Sequence, residues 1–240
     1  MDVIAVIDVQ HGIAVAANQG RRADYRALKT PLAEGSDPVA VALGLRSLFA
    51  FPILYIADLD GIEGRGRDAE LPRRLAEALP GVELWIDDGA PAVGAMRNFN
   101  AGVRAQGPRL TAVVGSESIA SADDLEAMRG LPPSRYVLSL DFQGEQFAGP
   151  AAVLEDAAHW PDRVIVMTLA RVGAREGPDL SRVAEVVARA GARRVYAAGG
   201  VRDANDLEAL RRSGGAGALV ATALHAGTIT AGDLEMIAGR

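Results

Sequence analysis

The chain has 240 residues, 49% of them hydrophobic, which suits one large domain with a substantial core. Its net charge is −6, and the 25 basic residues are scattered, which speaks against a nucleic-acid or anionic-membrane partner. Without cysteine there is no disulfide, thiolate metal site or cysteine nucleophile, and no leader pattern or run of ~20 apolar residues occurs, so a cytoplasmic protein is expected.

The first apolar run, V-I-A-V-I-D-V from Val3, ends on Asp8. From Asn18 to Asp37 no periodicity is visible, and a stretch of that length carrying Arg21, Arg22, Tyr25 and Arg26 reads as a lid over a site. A helical pattern follows at Val39, Leu43, Leu45 and Leu48. The second run, from Ile53, ends A-D-L-D-G-I; Asp58 and Asp60 are two apart, and at least one should line the mouth. The third, from Val82, ends on Asp87 and Asp88, and the fourth, from Thr111, on Gly115 and Ser116. The fifth, from Tyr136, ends on Asp141, and the sixth, from Val164, brings up Thr168 and Arg171 before a glycine-flanked loop at Gly173–Gly177. The seventh, from Val195, ends at Gly199 and Gly200; the eighth, from Ala218, at Ala221, Thr222 and Ala223. Ser121, Asp179 and Asp203 are placed to cap helices. Eight strands alternating with helices predict an α/β fold, a single (βα)8 barrel over residues 1–240.

The two halves look like copies, about 1–130 and 131–240, with Asp8 and Asp141 at corresponding strand ends. In a closed barrel these carboxyls face each other across the mouth and can divide general acid from general base work; capping a loop is the alternative. Gly199, Gly200, Ala221 and Thr222 leave backbone N–H groups open to an anion, and the last two strands of such barrels commonly hold phosphate. Asp87 and Asp88 stand where the second half has its glycine pair, so the first half suits an amine, a hydroxyl-rich group or a metal ion better than phosphate; a pair fixing its own loop is equally open. His11, His159 and His225 are far apart in sequence, and neither a resident metal nor a cofactor is expected. The substrate contacts expected are Asp58, Asp88, Ser116, Thr168, Arg171 and Gly173, with Arg171 or Arg175 able to meet an anion.

The motifs I-D-V-Q-H-G, A-D-L-D-G-I, V-G-S-E-S, S-L-D-F, R-V-G-A-R-E-G-P-D-L, A-A-G-G-V-R-D-A-N-D-L and A-T-A-L-H-A-G, in this order, resemble the histidine-biosynthesis barrel family of isomerases and cyclases. The resemblance covers nearly the whole chain. It implies a catalytic acid/base role for Asp8 and Asp141 and a phosphate site at Gly199, Gly200, Ala221 and Thr222. Two departures stand out. The family's first-half Gly-Gly-Gly-Ile-Arg type of run reads Asp87, Asp88, Gly89, Ala90, Pro91 here, and its sixth-strand Asp-Gly-Thr reads Val172, Gly173, Ala174. A substrate with a phosphate at each end would lose one anchor. The chain looks more like the divergent isomerase-like barrels found beside methanopterin and methanofuran pathways. That likeness implies an isomerase or lyase of one-carbon-carrier biosynthesis acting on a small phosphorylated substrate, with an authentic histidine-pathway isomerase and a non-catalytic phospholigand- or partner-binding barrel as alternatives.

Overall fold

The computed structural model describes residues 1–90 and 110–239. Eight parallel strands form its centre: β1 (Asp2–Gln10), β2 (Ile53–Asp58), β3 (Glu83–Asp87), β4 (Leu110–Gly115), β5 (Tyr136–Gln143), β6 (Arg163–Thr168), β7 (Arg194–Ala198) and β8 (Gly217–Val220). They pair in chain order, and β8 pairs back to β1 with Gly217 opposite Asp2, so the sheet has no free edge. This is the (βα)8 barrel that the alternation of patterns predicts. Pro91, the last residue of the first-half run, lies outside the described residues.

Strand periodicity decides what each residue faces. Ile4, Tyr55, Trp85, Val113, Val137, Ile165 and Tyr196 pack together inside the barrel. Their neighbours, such as Val3, Leu54, Leu84, Val114 and Leu138, pack in the layer beneath the helices. Both faces are buried, and the strands therefore read as continuous apolar runs. At mid-height Trp85 and Tyr196 meet edge to face at 5.1 Å. Gly217 makes room for the second ring: a Cβ there would stand 2.7 Å from a Tyr196 ring carbon.

Below this layer, at the N-terminal end of the strands, charges pair off. Arg163 reaches Glu83 at 2.7 Å, Thr111 Oγ1 donates to the same carboxylate at 2.6 Å, and Arg194 pairs with Asp2. The Arg163 guanidinium also lies 5.0 Å from the centre of the Trp85 ring. The charges at this end are thus paired, around an open cavity that Glu83, Arg163, Arg194 and Tyr196 help to line.

Local signals fix the helix starts. Asp37 accepts from Ala40 N at 2.9 Å with Pro38 at the first helical position, which ends the long first loop and begins the helix Pro38–Leu48. Ser121 forms a reciprocal capping box with Asp124, and Asp179 and Asp203 cap their helices as the sequence predicts. Two extensions mark the opposite end. β1 turns back through a hairpin that sets Asp8 opposite Val15, and β5 does the same with Asp141 opposite Ala148. The two carboxyls thus sit at matching places in two matching hairpins.

Candidate active site

By strand parity Asp8 shares the inward face of β1 with Ile4 and Val6, and Asp141 that of β5 with Val137, but only Asp8 is in the lining of the cavity. Asp8 lines the cavity over the barrel axis, and its carboxyl makes no hydrogen bond or ion pair with any described residue. Burial pushes its pKa up to about 7; Arg22 pulls it down and Asp87 pushes it further up. Asp141 is only 4% exposed and is held on both oxygens. Ser139 Oγ donates to Oδ1 at 2.6 Å, and Glu117 N–H donates to Oδ2 at 3.2 Å. Burial again dominates and raises the Asp141 pKa to about 7, against the Ser139 hydrogen bond and with the help of Asp87 and Glu117. The two acids differ in kind: one is open to a ligand, the other is fixed in place.

A third acid, Asp87, acts on both of them and is held by a tyrosine of the cavity wall. Tyr55 Oη donates to Asp87 Oδ2 at 2.8 Å, and Tyr55 lines the same cavity as Asp8. Asp87 is pushed up to about 6, chiefly by burial, with the Tyr55 hydrogen bond acting against it. Its neighbour Asp88 faces the other way. There it accepts from Ala90 N at 3.0 Å and meets Arg67 at 3.4 Å, outside the cavity lining. Strand parity could have made the choice: Glu83, Trp85 and Asp87 share one face, with an acid at each end of a central aromatic.

The glycine and small-residue ends of β7 and β8 come together as expected, and Gly199, Gly200, Ala221 and Thr222 line the cavity with Asp8. The loops above them are tightly packed. Gly200 has φ of +88°, and its carbonyl accepts from Gly177 N at 3.1 Å. Gly173 also lines the cavity, and a Cβ there would come within 2.2 Å of the Ala17 carbonyl oxygen, so the sixth-strand loop rests against the first. The first loop does cover the mouth. Tyr25 is buried against the barrel interior, and Arg22 bonds Glu117 of the fourth-strand loop at 2.8 Å. Arg22 acts on Asp8 and Glu117 acts on Asp141, so this ion pair is coupled electrostatically to both acids.

Five of the residues singled out in the sequence lie outside the lining of this cavity. Asp58 points outward, one residue out of phase with the cavity-lining Ala57, and caps a helical turn by accepting from Gly61 N and Asp68 N. Asp60 is held by the His11 backbone and Arg65. Thr168 is likewise one residue out of phase with the cavity-lining Met167. Ser116 is fully buried and supports Asp141: its Oγ accepts from Asp141 N at 2.9 Å and donates to the Ala148 carbonyl at 2.6 Å. Arg171 braces its own loop, donating to the carbonyls of Gly177 and Pro178 at 2.9 Å each. Among the described residues, no group of three or more His, Cys, Asp or Glu side chains is placed to hold a metal ion, and no helix is long and apolar enough to cross a membrane.

The family model described as histidine biosynthesis protein matches residues 2–230. The chain belongs to the histidine biosynthesis protein family. Its similarity to individual members runs end to end. A Rubrobacter xylanophilus protein named 1-(5-phosphoribosyl)-5-((5-phosphoribosylamino)methylideneamino) imidazole-4-carboxamide isomerase is 33% identical, with 99% of this chain and 96% of the relative covered. A Pyrobaculum aerophilum protein of the same name is 30% identical over 95% of this chain and 96% of its own length. An uncharacterized protein of Methanocaldococcus jannaschii is 26% identical, over 99% of this chain and 97% of the relative. Family membership accounts for the order of the motifs.

Proposed function

We propose that this member of the histidine biosynthesis family is an isomerase or lyase that acts on a small substrate with a single phosphate. The observation that carries the reading is the open Asp8 carboxyl, unpartnered among the described residues, in one cavity with Gly199, Gly200, Ala221 and Thr222. The phosphate rests on the strand-end backbone, and the reacting carbons lie over the barrel axis. Asp8, with a pKa near neutrality, exchanges a proton with carbon, and Asp141 exchanges one with the neighbouring oxygen or nitrogen. Similar pKa values suit carboxyls that trade roles between the forward and reverse directions. Substrate entry requires the Arg22–Glu117 pair to part, which uncovers Asp141.

A second phosphate has no place at Asp87, where a buried carboxyl would repel it. This favours a monophosphate over the substrate of the named isomerase relatives. The assignment to one-carbon-carrier biosynthesis rests on the motif likeness described above.

The test is mass spectrometry of small molecules that stay with protein purified from its own host. A phosphomonoester, converted on warming with the protein and unchanged with the Asp8→Asn variant, is the expected result. A retained bisphosphate would overturn the single-anchor reading, and so would growth rescue of a histidine auxotroph lacking the isomerase. A retained ligand that wild-type protein never converts would instead favour the binding-barrel alternative.

A further inference from the structure

The cavity over the barrel axis continues past the cup. A second cavity adjoins it, and the two share Val6, Asp8, Ala17, Arg175, Ala221 and Thr222 in their walls. The second arm runs outward beside β1 to Lys29 and His225. Two cations line this joint space, Arg175 from the sixth-strand loop and Lys29, the chain's one lysine, from the first loop. Neither has a hydrogen bond or ion pair with any described residue. The other loop arginines near the cavity are engaged, Arg22 by Glu117 and Arg171 by two carbonyls.

Both side chains are exposed, and their backbones are fixed by local features. Arg175 has φ of +57°, a conformation that non-glycine residues seldom adopt and that tends to persist at functional positions. On the other side, Thr30, next to Lys29, meets His225 Nδ1 through its hydroxyl at 3.1 Å. That histidine lies in the short helix Thr222–His225. Burial lowers the His225 pKa to about 4, so it is neutral near pH 7 and adds no competing charge.

We infer that Lys29 and Arg175 form a two-armed clamp for a phosphomonoester dianion at the junction of the two cavities, beside Ala221 and Thr222. The inference rests on the phosphate reading above and deepens it, because the cup read from the strand ends offers only uncharged groups. The arginine supplies a flat fork that meets two phosphate oxygens, and the lysine supplies a compact charge. The arms belong to different loops that already touch, Gly20 against the Leu169 carbonyl and Gly173 against that of Ala17. Seating a phosphate ties these loops together over the reacting groups. A neutral isostere has no such effect.

The test is calorimetric titration of the whole chain with inorganic phosphate and with ribose 5-phosphate. Wild type is compared with Lys29→Met, Arg175→Met and the double variant, and with Arg46→Met, on the exposed face of the helix Pro38–Leu48, as a control outside both cavities and the first loop. Each single change should weaken binding roughly tenfold and the double change roughly a hundredfold, while the control matches wild type. Arg175→Lys should recover part of the loss. If wild type binds neither probe at millimolar concentration, the phosphate reading itself falls. If wild type binds and the double variant binds as tightly, the clamp is wrong and the phosphate reading stands. Thermal unfolding of each variant confirms that binding is compared between folded proteins.

Discussion

Replacing Asp8 by asparagine is expected to lower turnover by roughly a thousandfold and, at the same time, to stabilise the protein above neutral pH. The two effects share one cause. Asp8 has burial and Asp87 acting to keep it protonated, Arg22 acting against them, and no hydrogen-bond donor among the described residues to hold its charged form. In the unfolded chain its pKa returns to the ordinary 3.8; in the folded protein it is about 7. Below pH 4 both states carry the proton and the group contributes no pH dependence. Between the two values the folded state holds more protons than the unfolded one, and stability falls as pH rises. Above pH 7 the loss is complete and constant. A three-unit shift corresponds to ~4 kcal/mol, and because the mouth admits water the gain on substitution at pH 8 should be on the order of 1–3 kcal/mol. Urea unfolding at pH 4.5 and pH 8 checks it: wild type and variant should differ mainly at the higher pH. Equal differences at both would mean that Asp8 acts through packing.

Gly200→Ala should be the most damaging single change in the cup. The residue holds φ of +88°, and an added Cβ would stand 2.2 Å from the Gly177 carbonyl oxygen. That oxygen belongs to the residue whose N–H donates to Gly200, so no rotamer change relieves the contact. Separating the two strand-end loops removes the hydrogen bond and opens the cup. A loss of more than ~3 kcal/mol is expected, together with loss of phosphate binding. Gly12→Ala gives the comparison. Gly12 also has positive φ, +75°, but has open space where the Cβ would go, so it carries only the backbone penalty of ~1 kcal/mol. Similar losses for the two variants in denaturant titrations would show that the close approach to Gly177 contributes little.

The strands were legible because their apolar runs are bounded by polar residues, and the helix starts because Ser121, Asp179 and Asp203 announce them. The same logic placed Asp8, Gly199, Gly200, Ala221 and Thr222 around one cavity. It failed where a one-residue change of phase decides direction. Asp58 and Thr168 each follow the last inward residue of their strand and so turn outward, whereas Asp87 rather than Asp88 turns in. Sequence position also hides what a polar side chain is bonded to. Arg171 and Arg175 look alike in the string, yet one is engaged by loop carbonyls and the other stands unpaired in the cavity. The Arg22–Glu117 bridge joins residues 95 apart, and no local pattern announces it.

At the N-terminal end of the strands, Glu83 and Asp2 come from the first half of the chain, and their partners Arg163 and Arg194 come from the second. Each of these two contacts, made between strands that are not neighbours in the sheet, therefore joins an acid of one half to a base of the other. Cut near residue 130, the chain would yield fragments with complementary charges at the surfaces they bury, whereas two identical fragments would set acid against acid or base against base. Co-produced fragments 1–130 and 131–240 should consequently sort into mixed pairs that elute together, with reversed charges at positions 83 and 163 restoring a pairing that either reversal alone disrupts. The ion pairs beneath the site would then act as a recognition code, able to tell one half-barrel from the other.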